Sequence, residues 1–147
     1  MIYQLTDGET VVRGIDDHFV VIVYAAITGP RSAEAEQKLR SGGRVLDEAT
    51  LWQWTSGENP EERAFALRAF AATSQKAANP RVVELYQAAV QDNHPDVRKA
   101  LVDSVGRAAW PELWPVVDAL AKFGDADSKG LQQAYEKHLS RSSDQPR

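Results

Sequence analysis

Two stretches of this chain can be laid over one another at an offset of 35 residues. Asn59-Pro60-Glu61-Glu62-Arg63-Ala64 sits over His94-Pro95-Asp96-Val97-Arg98-Lys99, so a proline, an acid and an arginine recur at corresponding places. A weaker third copy, Ala126-Asp127-Ser128-Lys129-Gly130-Leu131, keeps the acid and a cation but loses the proline. Self-similarity at a period of roughly 30–45 residues is the mark of stacked helical units, each with an apolar face it cannot bury alone. This constrains the chain more than any other feature does.

The local signals agree with helices from residue 47 onward. Asp47 is placed to cap a helix from Glu48 to Trp54. Asn59-Pro60, Asn79-Pro80 and His94-Pro95 each put a side-chain acceptor before a proline, a start signal that uses the proline where its missing N–H is not needed. These predict helices from Pro60 to about Ser74, Pro80 to about Gln91 and Pro95 to about Gly106. Trp110-Pro111 opens another, but Pro115 would remove a bond to the carbonyl of Pro111. A loose or 3₁₀ turn over 111–114 followed by regular helix from Pro115 to about Phe123 is therefore expected. Asp125 or Asp127 caps a last helix ending near Leu139, and residues 140–147, with nothing apolar to bury, read as a disordered tail.

Residues 1–46 have a different texture. Met1–Leu5 and Val11–Ile15 are β-prone, and Thr6-Asp7-Gly8-Glu9 between them carries a turn signal. The run from Phe19 to Ile27 is rich in β-branched residues, which pack well on a pleated surface, and reads as a third, buried strand. A buried helix capped by Asp16 or Asp17 is the competing reading, and periodicity over so short a run leaves both open. After Thr28-Gly29-Pro30, Ser32 is expected to cap a short polar surface helix that stops at Ser41-Gly42-Gly43.

The stretch Val82–Ala108, with Asp92-Asn93-His94-Pro95-Asp96-Val97-Arg98-Lys99-Ala100-Leu101 at its turn, resembles the HEAT-repeat family. The resemblance extends over about residues 47–139 and leaves residues 1–46 outside it. It implies a mainly α fold: a short HEAT-like α-solenoid of roughly three helical hairpins, with a small β-like unit and a short helix over 1–46 packed on the repeats. It further implies that Val97 packs inward and that Arg98 and Arg63 brace one repeat against the next. Lys129 lacks the fork of an arginine, so the last repeat is expected to act as a cap. The periodicity is compatible, since Val97, Leu101, Ser104 and Val105 share one helix face and Val82, Tyr86, Ala89 and Val90 another. Alanines at 64, 66, 69, 71 and 72 permit close helix approach, while Phe65 and Phe70 supply bulk.

Composition narrows the function. With 43% hydrophobic and 26% charged residues over 147 positions, the chain has the makings of one ordinary globular domain. A net charge of −4, with Glu61, Glu62, Asp96 and Asp103 interleaved among Arg63, Arg68, Lys99 and Arg107, argues against a nucleic-acid partner. The absence of cysteine excludes disulfides, a thiol nucleophile and cysteine zinc sites. The run at 19–27 falls well short of the ~20 apolar residues of a membrane span, and Asp16-Asp17 stand where a signal peptide has basic residues. No membrane partner and a cytoplasmic location are therefore expected.

No catalytic constellation emerges, so no enzyme and no cofactor is expected. Asp16-Asp17-His18 resembles a ligand trio, yet adjacent side chains diverge and a tight turn explains them. Glu61 and Glu62 stand at the positive end of a helix dipole, where acids are favoured without any acid–base role. Gly42-Gly43-Arg44 has neither phosphate-loop pattern and reads as a helix end and turn. No metal site is expected.

The tryptophans are more suggestive, because Trp, Tyr and Arg are enriched in binding hot spots. Trp52 and Trp54 cannot both face one core on a helix, so one of them is a candidate exposed contact. Trp110 and Trp114, four apart and flanked by prolines, are further candidates, as are Arg68 and Asp103. The expectation is a non-enzymatic helical-repeat module that binds another protein. Its profile is that of a bacterial immunity protein that neutralises a toxin domain, or of a regulatory adaptor. The alternative is a small-ligand binder or lyase-like HEAT-fold enzyme with a pocket near the N-terminal unit.

Overall fold

A computed structural model describes residues 2–4, 7–18, 20, 22–42, 46–74 and 76–143. The chain begins with an antiparallel sheet of three strands in sequential order, β1 (Ile2–Gln4), β2 (Val11–Asp17) and β3 (Ile22–Thr28). Tyr3 lies opposite Val12, and Ile15 opposite Tyr24. The turn before β2 is held by Asp7, whose carboxylate accepts from the Glu9 and Thr10 amides at 3.1 and 2.9 Å and from the Thr10 hydroxyl at 2.7 Å. Thr10 is fully buried, and its hydroxyl oxygen also accepts from the Arg31 amide at 3.0 Å. Gly29 closes this junction with φ +121°; a Cβ there would stand 2.5 Å from the Thr10 Cα, so only glycine fits.

The strand reading of the apolar run therefore holds over 22–28, and the helix reading does not. The strand is not buried, however: Ile22 is 5% exposed but its neighbour Val23 is 73% exposed. An antiparallel sheet packs one face and leaves the other open, so a continuous apolar run need not mean burial on both sides.

Helix α1 (Ser32–Ser41) is mostly exposed. Ser32 is its first residue rather than its cap; the Ser32 amide is satisfied by the Gly29 carbonyl of the preceding turn, and no side chain caps the helix. In α2 (Glu48–Trp54) the Asp47 carboxylate accepts from the Thr50 amide at 2.7 Å. Three helices then start in one way. Asn59 caps α3 (Pro60–Ala72), Asn79 caps α4 (Pro80–Ala89), and the His94 ring nitrogen Nδ1 caps α5 (Pro95–Ala108), each accepting from the amide two residues on. A 3₁₀ turn at Pro111–Leu113 leads into α6 (Trp114–Ala121). The last helix, α7 (Ala126–Ser143), begins where the Asp125 carboxylate accepts from the Ser128 amide and hydroxyl. Residues 140–143, expected in a tail, are helical: no glycine or proline interrupts them, and extending an existing helix is far easier than starting one. Residues 43–45 of the glycine turn and 144–147 of the tail lie outside the described residues.

Helix α3 holds the architecture together. Ala64, Ala66, Leu67, Ala69, Phe70, Ala71 and Ala72 are all buried, so most of its circumference is apolar and covered, with Phe65 left partly exposed on one side. It packs against α2, α5 and β3, while α5 also meets α4, α6 and α7, and α4 meets α6. The main core gathers Leu67, Tyr86, Leu101, Leu113 and Leu120. Two buried phenols anchor it: Tyr86 donates to the Leu67 carbonyl at 3.0 Å, and Tyr135 to the carbonyls of Val105 and Trp110 at 3.1 and 3.3 Å. Burial pushes both phenols well above the usual tyrosine range, so they remain neutral donors.

A smaller cluster joins the sheet to the helices, with Val20 and Ile22 against Ala69, Ala71 and Ala72. Beside it the Arg107 Nε donates to the Asp17 carboxylate at 2.9 Å, where the Asp17 side chain is only 10% exposed. Arg107→Ala takes away this partner and is expected to cost about 1–3 kcal/mol, the penalty for leaving a largely buried charged group underbonded. Urea unfolding would report it, with faster amide exchange in β2 and β3. An unchanged midpoint would show that the apolar cluster alone docks the sheet.

Candidate functional site

The residues singled out in the sequence fall into two groups. Trp110 is 3% exposed and belongs to the main core, so it is no surface contact; the turn between α5 and α6 folds its indole inward. Trp114 is half-buried against the same core. Trp52 and Trp54 straddle α3. Trp52 lies on Phe70 with ring centroids 4.3 Å apart, donates to Glu48 at 3.0 Å and carries the Arg81 guanidinium 3.7 Å above its ring. Trp54 meets Phe65 edge-on at 5.8 Å. Both indoles are half-buried, and both hold α2 to its neighbours.

The charged candidates face one another. Arg68 on α3 reaches Asp103 on α5 at 3.3 Å, a pair of positions themselves 35 apart in the chain. Asp103 also lies 3.7 Å from Lys99, which lies 3.6 Å from Asp127 on α7. Arg68 and Asp103 thus tie α3 to α5 and are not free contacts for a partner. Arg63 donates to Asp92 at 2.7 Å and to the carbonyls of Gly57 and Glu58 at 2.9 and 2.8 Å, joining the turn before α3 to the turn before α5. Val97 is 1% exposed. Arg98 crosses to the end of α6 by stacking 4.3 Å over Phe123, while its one hydrogen bond to a described residue runs to its own turn at Asn93.

A groove lies beside the N-terminal unit, where the alternative reading placed a pocket, but none of the residues that line it had been singled out as a contact. A cavity of about 640 Å³ opens between β3, α1, α2 and α3, lined by Val23, Tyr24, Leu39, Leu46, Leu51 and Phe65 among others. Val23, Leu46 and Phe65 are three of the four large hydrophobic side chains exposed among the described residues, at 73, 42 and 37%. A second hollow of about 740 Å³ shares Leu46, Leu51 and Thr73 and continues towards Phe70 and Trp110. Scattered apolar residues on a surface need no explanation, but exposed ones gathered in one concavity make it the candidate site. The signal was present in the run 22–28, which carries no charge and no proline, but its exposure could not be read from the chain.

The chemistry of the groove is correspondingly plain. Glu36 and Arg40, the charged residues of its wall, pair with each other at 2.8 Å. His18 and Asp16 sit 3.7 Å apart, are 88 and 61% exposed, and lie outside the groove. Among the described residues, no three histidine, aspartate or glutamate side chains gather as a metal would require. Among the same residues, no helix is long and apolar enough to cross a membrane. The arrangement offers apolar area beside β3, which among the described residues pairs with β2 alone, and its two charges neutralise each other.

No family model matches the chain, and no curated protein or solved structure shows significant similarity to it.

Proposed function

We propose that this chain is a non-enzymatic helical-repeat module that binds another protein through the groove at β3. The observation that carries the reading is the convergence of Val23, Leu46 and Phe65, exposed and apolar, on one concave surface. Burying such side chains against a partner is what drives most protein association. A HEAT-like solenoid is the architecture we assign to the helices. The 35-residue offset supports it, as do the contacts of α3 with α5, α5 with α7 and α4 with α6. Within the protein-binding class, an acidic chain of this size fits a cytoplasmic immunity protein that occludes a toxin domain, or a regulatory adaptor.

Tagged full-length chain, cross-linked in native lysate, is expected to retain one stoichiometric protein partner. Val23→Asp and Phe65→Asp should each weaken that capture by about tenfold or more, the loss expected when a binding hot spot is removed. Val23→Asp should move the unfolding free energy by only about 0.5 kcal/mol, as for other exposed positions, whereas Phe65→Asp also loses the ring contact with Trp54 and should cost about 1–3 kcal/mol. Partner capture that both variants leave intact would remove the groove from the reading.

A second reading, a binder of a small apolar ligand, draws on the cavity volume of about 640 Å³. Ligand pockets generally span about 300–1,000 Å³. It separates from the first by a melting temperature raised by a small molecule in the absence of any protein.

A further inference from the structure

We draw no further inference here: the strongest candidate, the apolar groove between β3, α1, α2 and α3, belongs to the site already described, and nothing in the structure shows what covers it.

Discussion

Leu101→Ala is expected to lower the unfolding free energy by about 2–5 kcal/mol. Leu101 is fully buried and sits on α5, the helix that touches α3, α4, α6 and α7. Truncation removes the transfer energy of the side chain and leaves a cavity that cannot collapse, because the surrounding helices are each held by other contacts. A domain of this size has roughly 5–15 kcal/mol in all, so the variant loses a large fraction of its stability. The denaturation midpoint should fall with an unchanged slope in urea, since the surface exposed on unfolding is the same. Leu46→Ala is the natural comparison. Leu46 is 42% exposed in the groove, and its loss should be nearly silent in the same experiment. A small shift for Leu101→Ala would mean that α5 is not the hub of the core.

Arg63→Ala is expected to cost about 2–3 kcal/mol, somewhat below the range for fully buried pairs because both partners keep some solvent. The side chains of Arg63 and Asp92 are 20 and 17% exposed, and the substitution also strips the carbonyls of Gly57 and Glu58 of a donor. By contrast, Arg40→Ala breaks an exposed pair on α1 and should cost about 0.3–0.5 kcal/mol.

The Arg63 effect should depend on pH in a definite direction. The Arg63 hydrogen bond holds the Asp92 carboxyl below its usual value of 3.8, helped by the His94 amide. A carboxylate whose folded pKa is depressed contributes stability that is present above the unfolded value and is lost as pH falls through the folded one. The difference between unaltered chain and variant should therefore be constant from neutral pH down to about 5 and shrink below about 4. A gap that stays constant down to pH 2 would show that the ion pair contributes nothing and that only the two carbonyl contacts matter.

Much of the helical half was legible because its signals are local. An acceptor before a proline starts α3, α4 and α5 whatever lies elsewhere in the fold, since capping uses amides within the same turn. The same holds for the 3₁₀ turn ahead of α6, forced by two prolines four apart. Arg63 and Arg98 occupied matching places in the repeat and were given one role, yet one pairs with an aspartate and the other stacks on a phenyl ring. Their difference lies in Asp92 and Phe123, which only the packing of helices brings near.

The candidate site lay on the illegible side. Tryptophan spacing drew attention to Trp110, which the fold buries, and the repeat's charges to Arg68 and Asp103, which pair with each other. Val23 attracted none, because a run of seven uncharged residues, five of them β-prone, reads alike whether a strand is central, covered or at an edge.

By itself the sequence determined the starts of α3, α4 and α5, the mainly α class and the absence of disulfides and thiol chemistry. These depend on dihedral preferences, short-range hydrogen bonds and composition. Only the tertiary structure decided that β3 lies at the edge of the sheet, that α1 and α3 flank it, and that Val23, Leu46 and Phe65 line one groove. Those are relations between residues tens of positions apart, set by how apolar faces pair in space, and no local rule encodes which face is left without a partner.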